Sequence, residues 1–482
     1  MPSKKSRRAA GRLSRMVEEE KKKGTIPIEK ISKYLPAVEK PTYKQPFNKR
    51  MMWTGIALIA YIVMSHISIY GIGATSQMTA LLLFQTLLGA KFGTLMTLGI
   101  GPIVTAGILL QLLVGSKIIN WDMSDTETRA KFQTWNKLLA IILCFGEALA
   151  YVLAGAIPVT GGVPTIIFVV MQLAAGGVIV ILLDEVVSKW GFGSGISLFI
   201  ATGVATQIAI GFFSPFIAPN GKYVGNAIGF IISILSSNNL VALSYLTPMI
   251  MTAIVFMIVI YAQNIRIDIP LVFSAMRGFG RTWSLKLFYT SNIPVILAAA
   301  LIANFQIMGR IGLDPATSCG FLACYNSQGT ITSGILYYLT SPRNLLGDAV
   351  AGILTHSEMI RAVTYLTFLS VAAMVFSVFW VSTSGMSSGS VAEQIENIGM
   401  HIPGYRNDKK TMEGVLQRYI PSLAVLGGLA IGVLAAFADF TGAIGTGTGI
   451  LLTVMIIYNY YEELSAQPLE DAHPWIKKVL GE

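Results

Sequence analysis

The sequence is short of charge. Only 12% of its 482 residues are Asp, Glu, Lys or Arg, against about 25% in a soluble globular domain. With 53% of residues hydrophobic, there is too little charge to cover an ordinary water-facing surface. Ligand-forming side chains are scarce too: three cysteines and four histidines, none in metal-ligand spacing, so no metal site is expected. No Gly-x-x-x-x-Gly-Lys phosphate loop occurs, and no nucleophile stands beside a recognisable base, so neither nucleotide hydrolysis nor a cofactor is expected. No short apolar core with a small-residue cleavage site precedes Lys49, so a removable signal peptide is not expected.

What the chain does have is apolar runs of membrane-crossing length, which takes about 18 residues or more. Ten spans are expected, at 51–72, 100–119, 134–157, 164–187, 194–216, 244–264, 286–308, 360–382, 419–440 and 447–464. The formal net charge is +10, and the basic residues are unevenly placed. Lys4, Lys5, Arg7, Arg8, Arg12, Arg15, Lys21 to Lys23 and their neighbours crowd residues 1–50, as for an arm held in the cytosol. Within that arm Thr25 and Pro27 start a short helix whose stripe Ile28, Ile31, Leu35 fits the headgroup region. With the amino end inside, the inward loops hold Arg129, Lys131, Lys137, Lys189, Arg266, Arg277, Arg281, Lys286, Arg406, Lys409, Lys410, Arg418, Lys477 and Lys478. The outward ones hold little beyond Lys91, Lys222, Arg310 and Arg343. Both termini are therefore expected in the cytosol of a multi-pass protein of the cell membrane.

One apolar stretch, Met78 to Ala90, is too short to cross. A half-length segment at membrane depth must be buried in protein or line a cavity, so a re-entrant helix is expected, with a surface-lying amphipathic helix as the alternative. Gly93 and Gly99 are its candidate hinges. The organisation read from this pass is a basic arm at 1–50, a first half at 51–217, an external connector at 218–243 and a second half at 244–482, with cytosolic loops at about 265–283 and 383–418. Five spans per half would make any duplication inverted in the membrane, although no residue-level repeat is evident. Cys144 reads as a packing residue, and spacing alone leaves open whether Cys319 and Cys324 are joined.

Four runs carry a family resemblance. They are Thr97-Leu-Gly-Ile-Gly-Pro-Ile-Val-Thr-Ala-Gly-Ile-Leu-Leu-Gln-Leu-Leu113, Leu183-Asp-Glu-Val-Val-Ser-Lys-Trp-Gly-Phe-Gly-Ser-Gly-Ile-Ser197, Lys286-Leu-Phe-Tyr-Thr-Ser-Asn-Ile-Pro294 and Gly447-Thr-Gly-Ile-Leu-Leu-Thr453. In these, and in their order, the chain resembles the SecY family of protein translocation channels, archaeal and eukaryotic members more than bacterial ones. The resemblance implies an all-α integral membrane fold: ten transmembrane helices in two inverted halves, with the 78–90 segment as a re-entrant plug. It implies a conduit for unfolded polypeptides that also opens sideways to lipid, with no enzymatic step.

The same resemblance implies roles for particular residues. Ile100, Val104, Ile196, Ile200, Ile296 and Leu452 align with the family's pore ring. Thr105, Glu147 and Asn304 fall at its lateral gate, between spans 2 and 3 on one side and 7 and 8 on the other. Arg277 and Arg406 align with ribosome-docking arginines, and Arg281 and Lys409 lie in the same two loops. The implied partners are nascent chains with signal sequences, the ribosome, a SecE-like clasping subunit and a small SecG- or Sec-beta-like subunit. Two other readings compete. Inverted halves and broken helices also occur in ion-coupled transporters, which need intramembrane ionisable groups; Glu147 is the one carboxylate read here in mid-span. An intramembrane protease would need paired catalytic groups, and His66 shows no evident partner.

Overall fold

The structure is a computed structural model that describes residues 35–43, 45–73, 91–121, 123, 125–217, 221–273, 280–310, 319–326, 330–342, 345–350, 352, 354–403 and 408–465. The expected interfacial helix and the 78–90 segment lie outside them. The described chain is built mainly of helices, because a backbone in lipid must satisfy its own N–H and C=O groups. In order they are α1 (Phe47–Met64), α2 (Gly101–Gly115), α3 (Thr126–Leu153), α4 (Val163–Trp190), α5 (Gly195–Phe213), α6 (Asn226–Leu235) and α7 (Asn239–Gln263). There follow α8 (Ile293–Met308), the short α9 (Ile335–Tyr338) and α10 (Leu345–Val350), then α11 (His356–Thr383), α12 (Ser388–Asn397), α13 (Lys409–Phe440) and α14 (Gly447–Ser465).

The ten spans are α1 to α5, α7, α8, α11, α13 and α14. Local chemistry starts several of them. Pro102, Pro164 and Pro294 stand in the first turns of α2, α4 and α8, where the missing N–H costs nothing. Asp125 caps α3 by accepting from the Thr128 amide at 3.3 Å, and Thr355 with Glu358 forms a capping box on α11. Among the described residues, six helices are long and apolar enough to cross a membrane by themselves. α2 has 15 residues, about 22 Å of helix, too short for a core about 30 Å thick. It begins inside the bundle: its N-cap, Ile100, is fully buried. The chain reaches it through turns at residues 91–99 in which Met96, Thr97 and Leu98 are also fully buried. Irregular backbone at this depth is tolerated because protein surrounds it.

Span 7 also starts later than its apolar run, which begins at Lys286. Residues 286–292 are not helical: Lys286 closes a strand, and Ser291 has a left-handed φ of 57°. α13 runs the other way, extending past the apolar stretch to Lys409.

Antiparallel succession gathers the connections at two ends. One, the hairpin end, holds strands β1 (Arg266–Phe273) and β2 (Gly280–Lys286), paired antiparallel. The other, the disulfide end, holds a small hairpin of β3 (Ala323–Tyr325) and β4 (Ile331–Gly334), and the Cys319–Cys324 disulfide closes a loop beside it. At the hairpin end β5 (Met400–His401) adds to β1 through Val272 and His401. The expected loops at 265–283 and 383–418 are thereby one unit, with its own core of Ile269, Leu271, Leu285, Ile395, Met412 and Leu416. The main core runs through the bundle and draws on every span.

Candidate functional site

Four helices supply the six aliphatic residues aligned with the pore ring, and in each they sit near the helix start. Ile100 is the N-cap of α2, Ile196 the second residue of α5, Ile296 the fourth of α8 and Leu452 the sixth of α14. Val104 and Ile200 follow one turn on from Ile100 and Ile196, on the same helix faces. All six belong to the main core: Ile100, Val104, Ile200, Ile296 and Leu452 are buried members, and Ile196 is partly buried and packs against that core. All six side chains are aliphatic and carry no polar atom. Such a surface offers a passing chain no hydrogen bond and sheds water readily.

Beside these residues, α2 touches both α8 and α11. Across this seam the Asn304 amide donates to the Thr105 hydroxyl at 3.2 Å, and the Thr105 hydroxyl lies against the Glu147 carboxyl. The three residues aligned with the gate are thus gathered from α8, α2 and α3. Glu147 Oε1 has no hydrogen-bond partner, nor have Gln111 Oε1 and Asn136 Oδ1 farther along α2 and α3. The seam therefore carries buried acceptors that lack donors, each costing about 1–3 kcal/mol. The sequence reading missed Gln111 and Asn136; Asn136 shares the face of α3 that carries Glu147, eleven residues on, while Gln111 stands on a different face of α2 from Thr105. At the hairpin end of the seam, a Cβ on Gly115 would lie 2.6 Å from the Phe379 ring of α11.

A group of polar residues lies at the hairpin end, between the start of α5 and the end of α14. It holds a cavity of about 100 Å³ lined by Ser194, Ser197, Asn292, Asn459 and Tyr460. Tyr460 of α14 donates to the Ser194 carbonyl at 2.9 Å, and Asn459 to the Ser291 hydroxyl at 2.7 Å. Lys286 pairs with Glu462, and Arg50 with Glu463 at 3.8 Å. These contacts join the last span to the residues before α5 and α8 and to α1 itself.

Of the expected docking residues, Arg277 and Arg406 lie outside the described residues. Arg281 stands in β2 opposite Leu271. Lys409 opens α13 and pairs with Glu393 of α12 at 2.7 Å. Among the described residues no group of three His, Cys, Asp or Glu side chains could hold a metal ion. Two carboxylates passed over in the sequence, Asp184 and Asp439, sit at the ends of α4 and α13 and accept backbone hydrogen bonds from the next span.

The SecY family model matches residues 94–461, an interval that takes in the collar, the seam and the joined loops. The chain is 42% identical to the protein translocase subunit SecY of Methanococcus vannielii, over 94% of this chain and 99% of that protein. It is 38% identical to the protein transport protein Sec61 subunit alpha of Dictyostelium discoideum, over 90% and 95%. A solved structure described as a protein conducting channel superposes with a TM-score of 0.79 at 40% identity, covering 93% of this chain and 99% of its own. Sec61 in the canine ribosome-channel complex from the endoplasmic reticulum gives 0.76 at 40%, with the same coverage. With its ten spans, the family model matched over residues 94–461 and relatives matched almost from end to end, the chain belongs to the SecY family.

Proposed function

We propose that this protein is the pore-forming subunit of a protein-conducting channel, moving unfolded polypeptides across the membrane and releasing apolar segments sideways into lipid. The observation that carries the reading is the collar: six aliphatic residues from four helices, two in each half, within one hydrophobic core. An aliphatic constriction tolerates any side chain that slides through and blocks ions when it dewets. The transporter reading is set aside, since the relatives are named as translocase and protein-transport subunits.

In this reading the halves at 51–217 and 244–482 part along the seam of α2 and α3 against α8 and α11. The polar contacts among Thr105, Glu147 and Asn304 are given up when a signal sequence enters. The segment at 78–90 serves as plug, with Gly93 and Gly99, both at left-handed φ, as its hinges. Basic loops put the hairpin end and both termini in the cytosol. There Arg277, Arg281, Arg406 and Lys409 suit a phosphate-rich partner such as the ribosome. A SecE-like subunit clasping the halves and a small SecG- or Sec-beta-like subunit complete the working unit. The chain itself supplies a path, and the energy comes from its partner.

Crosslinking of a stalled nascent chain to a photo-reactive residue at Ile100 or Ile296 tests the reading. Crosslinks at both positions are expected. Crosslinks confined to the lipid-facing sides of α4 and α7 would overturn it.

A further inference from the structure

The last span of each half starts in the same way. α5 follows Ser194 and opens Gly195-Ile196, and α14 follows Thr446 and opens Gly447-Thr448. In both, the amide of the second residue is held by an aspartate from the span before. Ile196 N donates to Asp184 Oδ1 at 2.9 Å, and Thr448 N donates to Asp439 Oδ1 at 2.7 Å. The first residue is glycine in both because the capping segment lies against it. A Cβ on Gly195 would stand 2.6 Å from Asp184 Cα, and one on Gly447 would stand 1.9 Å from the Ala438 carbonyl carbon. The sixth residues, Ile200 and Leu452, are both collar members with 0% exposure. Positions two and six share a helix face, so each aspartate grips its helix one turn before a fully buried collar member, and on α5 the gripped residue, Ile196, is itself in the collar.

The two grips come from opposite sides. α5 starts at the hairpin end and α14 at the disulfide end, so Asp184 and Asp439 hold the constriction from either face. A carboxylate at a helix N-terminus satisfies a free amide and meets the positive end of the helix dipole. Asp439 reaches farther: its Oδ2 also accepts from the Tyr365 hydroxyl of α11 at 2.7 Å and from the Thr448 hydroxyl. The α14 start is thereby tied to a helix of the gate seam. The starts of α5 and α14 thus correspond between the halves in one contact, which their different spacing in sequence does not show.

We propose that Asp184 and Asp439 are a matched pair of positioning residues, one per half, that fix α5 and α14 so that Ile200 and Leu452 close the collar. The inference rests on the collar reading above. Its test is resting ion conductance of the purified channel complex in planar bilayers, with the melting temperature read alongside. Asp184→Ala and Asp439→Ala are each expected to raise resting conductance about tenfold, the shift given by one lost charge-assisted hydrogen bond. Asn caps helices nearly as well as Asp, so Asp184→Asn is expected near wild type. Asp439→Asn is expected in between, because an amide cannot accept from both hydroxyls and the backbone. Leu452→Gly is the reference for the collar itself. If Leu452→Gly leaks while both alanine variants stay tight and merely melt earlier, the aspartates are structural caps and the inference fails, though the collar stands. If Leu452→Gly stays tight, the collar reading falls first. Should an alanine variant fail to assemble, Asp439→Asn and Tyr365→Phe are read instead: raised conductance supports the pair, and wild-type conductance in both overturns it.

Discussion

The Asn304 side chain donates to the Thr105 hydroxyl at 3.2 Å across the seam between α8 and α2, joining residues 199 positions apart. It is a neutral hydrogen bond between helices, worth about 0.6 kcal/mol on average in a membrane bundle. A contact of that size holds a seam shut without locking it. In a double-mutant cycle, Thr105→Val and Asn304→Leu should show a coupling of about 1 kcal/mol or less in melting of the detergent-purified complex. A coupling well above that would mean the seam is a structural weld.

Glu147 presents the opposite case. Its carboxyl meets the Thr105 hydroxyl, but its Oε1 is buried with no hydrogen-bond partner, and a buried acceptor without a donor costs more than one contact between helices returns. Glu147→Leu is expected to stabilise the resting complex by about 1–3 kcal/mol and to slow translocation of a reporter with a weak signal sequence. A lower melting temperature in that variant would contradict this account.

Gly115 and Phe379 meet at the hairpin end of the same seam, where a new Cβ would stand 2.6 Å from the ring. Gly115→Ala should push Phe379 aside, prop the seam and increase release of apolar segments into lipid. Adding Phe379→Ala removes the clash, so the double variant should return toward wild type. Lipid-exposed crosslinking of a model apolar segment reads both.

The Cys319–Cys324 disulfide spans five positions, so the chain it closes is short. Its loss should cost about 2 kcal/mol by loop entropy, felt in the disulfide-end loop and not in the collar. Cys319→Ser with Cys324→Ser should quicken proteolysis between 309 and 355 while resting conductance stays unchanged.

Arg277 and Arg406 are proposed to meet phosphate. Arg277→Glu together with Arg406→Glu should weaken ribosome binding, with a shallower dependence on salt, and leave the melting temperature of the free complex as it was. Equal binding at low and high salt in wild type would exclude a phosphate contact.

Much of the helical order could be read from apolar runs and basic loops, because lipid imposes length and hydrogen-bond closure on each span separately. Span ends were harder. Ser65 to Gly73 continues the first apolar run, yet its backbone leaves the helix and bridges Ser68 to Thr94 and Ile72 to Val159. Those partners are far along the chain, and nothing local announces them. The sheet that joins β1, β2 and β5 escaped notice for the same reason, since its third strand is two residues long and arrives from beyond α12.

The sequence by itself determined membrane residence, the number of spans and, through Ile100, Ile296 and Leu452 in their motifs, where a constriction would be sought. These depend on composition and local pattern. Only the tertiary structure decided that Asp184 grips α5 as Asp439 grips α14, and that Cys319 is joined to Cys324. The two grips are 12 and 9 residues long in sequence, Asp184 to Ile196 and Asp439 to Thr448, so no fixed spacing marks them. What they share is the direction of a carboxylate toward the first amides of a helix, and a direction in space exists only once the helices have packed.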